Sequence, residues 1–171
     1  MLRNIIGNLS DMDRLARHAP ALLLAASTTV LLAALGMQHL ADIAPCPLCI
    51  LQRWPYVAVM GLAAVAMVPA LPPFWRRALL AAAAIAFAVG GAIAVYHVGV
   101  EQGWFAAPAS CTGTATDANT IEELRKALAA QPVVRCDQVP WSLFGVSLAG
   151  YNVALSALLA SFSAVAAARR T

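Results

Sequence analysis

Between Pro45 and Arg53 the chain reads PCPLCILQR. Two cysteines and an arginine fall inside this stretch, and long apolar segments flank it on both sides. Such segments tolerate few polar atoms when they lie in lipid, because a charge there is costly and is kept for a task. The fold therefore turns on whether the flanking segments span a membrane, and the function on what the thiols and the cation do at its edge.

Composition answers the first question. Of 171 residues, 61% are hydrophobic and 11% are charged, against about 25% charged in an ordinary soluble domain. A net charge of +3 gives no footing for a nucleic-acid partner. About 20 consecutive apolar residues are needed to cross a bilayer. Four segments meet that length: 19–39, 48–71, 78–98 and 146–168. We expect an all-α, polytopic membrane protein, a four-helix bundle forming one domain over residues 1–171. The first segment has an apolar core too long for a signal peptide and is read as an uncleaved anchor.

Arginine and lysine set the orientation, since they gather on the cytoplasmic side. Arg3, Arg14, Arg17, Arg76, Arg77, Arg169 and Arg170 fall on one side, seven in all. Arg53, Arg125, Lys126 and Arg135 fall on the other, with six of the eight acidic residues. The first side is expected to be cytoplasmic, with both termini. The loops at about 40–47 and 99–145 are then periplasmic, and every cysteine lies outside or at the outer boundary, where disulfides persist. Trp54, Trp104 and Trp141 suit the outer interface and Trp75 the inner one. Gly90, Gly91 and the run Ala81 to Ala84 suit close helix contact.

The first outer loop is short and holds Cys46 and Cys49 at the membrane surface. The second is long and carries Cys111 and Cys136, separated by 25 positions. Within it TIEELRKALAA predicts a short amphipathic helix. Thr120 is its N-cap and Glu123 completes a capping box, with Ile121, Leu124 and Leu128 on one face. It either lies flat on the bilayer or packs on its own loop.

The chemistry sits in the opening stretch. Pro47 suits the first turn of a helix, which puts Cys46 at the N-cap and Cys49 one turn inside. A helix N-terminus stabilises a thiolate, and Cys-x-x-Cys there points to thiol–disulfide exchange. Arg53 follows Cys49 by four residues and Cys46 by seven, so the three share one helix face. Arg53 either snorkels to headgroups or stabilises an anion beside the thiols. A zinc site completed by His39 and His97 is the competing reading; such sites take four ligands, and we expect no metal. Cys111 and Cys136 are either a structural disulfide or a second, exchangeable one. No haem, flavin or nicotinamide fingerprint is present. Electrons leaving a dithiol at the bilayer edge therefore point to a lipid-soluble quinone, whose reduced oxygens Arg53 would stabilise.

Three stretches carry a resemblance: QHLADIAPCPLCILQR (38–53), YHVGVEQGWFAAPASC (96–111) and CDQVPWSLFGVSLAGYN (136–152). Together they resemble the disulfide bond formation protein B (DsbB) family, and the Cys-x-x-Cys followed by Gln-Arg is the most specific element. The resemblance implies a thiol:quinone oxidoreductase of the bacterial inner membrane. It implies that a periplasmic DsbA-like thiol oxidase is reoxidised and that ubiquinone or menaquinone accepts the electrons. Cys49 would engage the quinone, with Arg53 assisting, His97 beside it and Glu101 one turn on. Read alone, Glu101 is a solvated carboxylate at the water boundary and His97 a helix-packing residue. By the same resemblance, Cys111 is attacked by the DsbA-like thiol, and Cys136 exchanges with Cys46. Vitamin K epoxide reductase-like enzymes are also four-span and quinone-linked. By resemblance they carry Cys-x-x-Cys near the last helix, whereas here it opens the second.

Overall fold

Prolines decide where the helices of this chain begin and break. A computed structural model describes residues 2–112, 120–122, 125 and 134–169, with side chains from residue 15 onward except at residue 112. Helix α1 runs Leu2–Leu40 with Pro20 inside it. Helix α2 is a single short piece, Pro47–Leu51, and α3 follows as Trp54–Ala66. Helix α4 runs Pro73–Glu101, α5 is the short Ala109–Thr112, and the last helix, α6, is Leu148–Ala168. Four stretches are long and apolar enough to cross a membrane: Leu15–Leu40, Pro47–Ala66, Pro73–Glu101 and Leu148–Ala168.

The second span differs from the single helix expected over 48–71. It breaks at Gln52 and Arg53 because Pro55, in the first turn of α3, has no N–H to offer the preceding turn. Arg53 N instead bonds Ile50 O at 3.0 Å, a tightened turn. The helix then stops at Ala66, ahead of Pro69. The third span starts at Pro73, not at residue 78, since proline is well suited to a first helical turn. The Arg76–Arg77 pair therefore lies in a helix and not in a loop. Arg76 Nε donates to Ala66 O at 3.1 Å and Arg77 Nε to Ala167 O at 2.9 Å. Each cation thus satisfies a carbonyl at the end of a neighbouring helix, where the helix dipole favours positive charge.

A short hairpin, which no sequence pattern announces, precedes the last helix. Ser142–Leu143 (β1) and Val146–Ser147 (β2) pair antiparallel, Ser142 with Ser147 and Leu143 with Val146. Phe144 and Gly145 form the turn with φ of 51° and 78°. Positive φ at both central residues is the hairpin geometry that matches strand twist. The hairpin delivers the chain to α6, where Ser147 Oγ caps the helix by accepting from Gly150 N at 3.1 Å. The helix expected from Thr120, with Glu123, Leu124 and Leu128, lies largely outside the described residues.

Helices α4 and α6 form the main contact, with α3 against α4 and α1 against α3. The core holds Leu23, Tyr56, Val59, Leu80 and Phe87 among its buried residues, and Tyr56 meets Phe87 edge to face at 5.5 Å. Gly90 and Gly91 permit the approach: a Cβ on Gly90 would lie 3.1 Å from Pro55, and one on Gly91 3.3 Å from Ser156. Leu32, Ile85 and Leu158 face outward, as side chains bathed in lipid do. This packing gathers the C-terminal ends of α1 and α4 and the starts of α2 and α6 at one end of the bundle, and all the cysteines are there.

Candidate redox site

Cys46 is the N-cap of α2, with φ −73° and ψ 164°. Its sulfur accepts a hydrogen bond from Cys49 N at 3.2 Å. Pro47 supplies the fixed first turn, so the expected cap geometry is present. Cys46 is buried and Cys49 half-buried, and both are free thiols. Cys111 and Cys136 are joined as a disulfide with a Cα–Cα distance of 5.4 Å, and both are buried.

The two thiols face different surroundings. Cys46 packs with Leu48, Val100, Cys111 and Cys136 in one buried cluster. Cys49 packs at the edge of that cluster and, unlike Cys46, also lines a mostly apolar cavity of about 260 Å³. Val30, Leu31 and Met37 of α1, the turn residues Gln52 and Arg53, and Asn152 and Leu155 of α6 line the same cavity. Arg53 is therefore at the cavity wall. Its Nη1 donates to Gln38 Oε1 at 2.8 Å, which orients the guanidinium beside the Cys49 side of the site.

His97 stands between these surroundings. Its Nε2 lies 3.6 Å from Cys46 Sγ and 3.9 Å from Glu101 Oε1. Its ring interacts with the Cys136 backbone, and it also lines the cavity. Glu101 is not a solvated carboxylate: its side chain is 3% exposed. It accepts from Ser147 Oγ at 2.5 Å and is not among the residues lining the cavity. It meets the site through His97.

Hydrogen bonding holds the Cys46 thiol well below its ordinary value of 9.0, at about 5. The largest cause is the bond from the Cys49 side chain. The His97 side chain and the Cys49 backbone N–H add to it, and burial opposes it. These bonds favour the thiolate of Cys46 in the reduced protein, the form that exchanges.

Among the described residues, Cys46, Cys49 and His97 bring ligand-type atoms within 4.8 Å of one another. This set stops one donor short of a closed tetrahedral site. His39, the other histidine considered, is exposed and outside the group.

Sequence reasoning assigned no role to Tyr56, nor to Gln38, Gln52 and Asn152, although these three stand inside the stretches that carry the resemblance. Gln52 bonds His97 Nδ1 at 2.8 Å, Asn152 Nδ2 donates to Gln52 Oε1 at 2.5 Å, and Tyr56 OH donates to Asn152 Oδ1 at 2.5 Å. The signal was present, since polar groups inside apolar spans are kept for packing partners or function.

The sequence profile described as "Disulfide bond formation protein DsbB" matches residues 16–166. The chain belongs to the DsbB family. A protein named "Disulfide bond formation protein B" from Verminephrobacter eiseniae is 29% identical over 152 residues, 86% of this chain and 84% of its own length. Another of that name, from Stutzerimonas stutzeri, is 29% identical over 74% of this chain and 79% of its own length. A third, from Aromatoleum aromaticum, is 29% identical over 80% and 82%. No solved structure matches the chain significantly. DsbB membership and the four apolar helices make this a multi-pass inner-membrane protein with an oxidoreductase role in disulfide bond formation.

Proposed function

We propose that this DsbB-family chain is a thiol:quinone oxidoreductase that reoxidises a periplasmic DsbA-like thiol oxidase. The observation that carries the reading is the division of the Cys-x-x-Cys pair. Cys46 packs on the Cys111–Cys136 disulfide, and Cys49 opens into an apolar cavity that Arg53 and His97 share. That division supports a reading in which one sulfur exchanges with the loop pair and the other meets a ligand entering from lipid.

The cavity residues fit a quinone. The walls are mostly apolar, with few polar groups, and of these Arg53 is the one that would address a ring oxygen, since His97 and Gln52 bond each other and their neighbours. A bound quinone supplies a two-electron, two-proton acceptor. Arg53 stabilises negative charge next to Cys49, at strength, because the surroundings exclude water.

Thiol exchange brings the electrons in. A thiolate of the reduced DsbA-like partner attacks Cys111 Sγ, forms a mixed disulfide and releases Cys136 as thiolate. The Cys136 thiolate attacks Cys46 of an oxidised Cys46–Cys49 pair, and Cys49 leaves as thiolate beside Arg53. The partner's second thiol displaces Cys111 and leaves the partner oxidised. Reforming the Cys46–Cys49 and Cys111–Cys136 bonds resets the chain. In sum, one dithiol becomes a disulfide and one quinone becomes a quinol. This relay requires the cysteines to lie on the periplasmic side, as the arginine distribution predicts.

The test is purified protein in detergent with a reduced DsbA-like thiol oxidase and ubiquinone or menaquinone, followed by the loss of quinone absorbance. Quinone reduction with stoichiometric oxidation of the partner is expected. A protein that exchanges disulfides with the partner and leaves both quinones untouched would sink the reading.

A further inference from the structure

Behind His97 lie Gln52, Asn152 and Tyr56, side chains that no exchange step uses. Gln52 is buried on the turn between α2 and α3, Tyr56 is buried in α3, and Asn152 is half-buried in α6. Amides inside an apolar bundle are costly unless their polar atoms are paired. These are paired in a single file. Tyr56 OH donates to Asn152 Oδ1 at 2.5 Å, and Asn152 Nδ2 donates to Gln52 Oε1 at 2.5 Å. Gln52 Nε2 lies 2.8 Å from His97 Nδ1, and His97 Nε2 lies 3.6 Å from Cys46 Sγ.

The file has a direction. Each amide has one accepting end and one donating end, so orienting one orients the next. Asn152 Oδ1 faces two hydroxyls, Tyr56 and Ser156, the latter at 3.3 Å. Turned over, Asn152 would donate to the Tyr56 oxygen. The Tyr56 proton would then keep only its 3.4 Å contact with Ser156, longer than the roughly 2.5–3.0 Å of a good O–H···O bond. The hydrogen bonds therefore run from Tyr56 toward His97. An amide N–H only donates, so His97 Nδ1 must accept. A neutral imidazole that accepts at Nδ1 carries its proton at Nε2, the nitrogen that faces Cys46.

We propose that Tyr56, Asn152 and Gln52 are positioning residues that fix His97 as its Nε2–H tautomer, so that His97 donates a hydrogen bond to the Cys46 thiolate and does not act as the base that deprotonates it. This rests on the reading of Cys46 as an exchanging sulfur. When the Cys46 thiol ionises, its proton goes to solvent, since Gln52 occupies Nδ1 and Nε2 is already protonated. A sulfur that faces a donor also leaves more readily in exchange.

The experiment is nitrogen NMR of the full chain in bilayer discs, with ¹⁵N in the histidine rings. His18→Gln and His39→Gln together leave His97 as the one labelled ring of the three in the chain. In neutral His97, Nδ1 is expected to give the signal of a proton-free ring nitrogen and Nε2 that of a proton-bearing one. Asn152→Leu frees Gln52 to turn over, so the two signals should move toward each other as tautomers mix. Gln52→Glu places an acceptor against Nδ1 and should move the proton there. A parent protein whose neutral His97 is protonated at Nδ1 overturns the proposal. So does an Asn152→Leu protein whose ring signals are unchanged. If Asn152→Leu does not fold, the parent and Gln52→Glu spectra decide. The spectra need neither quinone nor thiol partner, so this proposal and the quinone-linked activity fail separately.

Discussion

Cys46 Sγ and His97 Nε2 lie 3.6 Å apart, and that contact joins the thiol site to both of its neighbours. The same imidazole reaches Glu101 and the Cys136 backbone on one side and lines the apolar cavity with Cys49 on the other. The loop disulfide and the cavity therefore share one neighbour, although of the two thiols, which bond each other, only Cys49 lines the cavity.

The depressed Cys46 pKa gives the first prediction. In the reduced protein, thiolate absorbance near 240 nm should persist as pH falls and be lost with a midpoint of about 5, against 9.0 for an ordinary thiol. The folded value is the lower one. Ionised Cys46 therefore stabilises the reduced fold fully above the unfolded value, and that contribution is lost as pH falls through the folded one. The difference spectrum between the parent and Cys46→Ser isolates the signal. A single step at the ordinary thiol value would show that Cys46 is not activated. Because Cys49 is the largest cause, Cys49→Ala should raise the midpoint.

Arg53 is held by Gln38 at the cavity wall. Removing a charged hydrogen-bonding group from such a site costs about 2 kcal/mol, so Arg53→Ala should raise the KM for quinone roughly thirtyfold. Both disulfides should still form. Steady-state rates against quinone concentration check this, and an unchanged dependence removes Arg53 from the site.

Cys111→Ser should abolish electron entry from the reduced thiol oxidase while leaving Cys46 and Cys49 able to pair. Thiol counting under denaturing conditions verifies the pairing, and the rate of partner oxidation gives the answer. If the partner is oxidised at the parental rate, the loop disulfide only ties the loop down.

The spans and the cap at Cys46 were legible in the sequence, because each rests on local rules: apolar length and proline at a first turn. Cys49 and Arg53 do line one cavity, but across the break between α2 and α3 and not along the single helix face expected for them with Cys46. The break at Gln52 follows equally from Pro55, yet an apolar run masks it. What the sequence could not show depends on which helices meet. Asn152 and Gln52 are 100 positions apart, so nothing local couples them. Glu101 reads as solvated because it ends an apolar helix; its burial comes from the hairpin, whose Ser147 covers it. The hairpin itself was hidden because Phe144 takes a backbone conformation with φ 51° that sequence patterns assign to Gly or Asn.

Glycines in the spans separate contact from tolerance. A Cβ on Gly90 would sit 3.1 Å from both Cβ and Cγ of Pro55, whereas none of the space around Gly61 is occupied within 4 Å. The Pro55 ring is stiff and follows the Gln52–Arg53 turn, so it cannot yield without moving that turn away from α4 and His97. Gly90→Ala should therefore cost about 1–3 kcal/mol, as overpacking does. Gly61→Ala should be neutral or stabilising by up to about 1 kcal/mol, the helix preference of alanine over glycine. Unfolding of the two variants in mixed micelles compares them directly. Gly90→Ala should also lower the quinone-reduction rate, since α4 carries His97 to Gln52. Equal stability of the two variants would show that the close approach of α4 to Pro55 does not hold the site together.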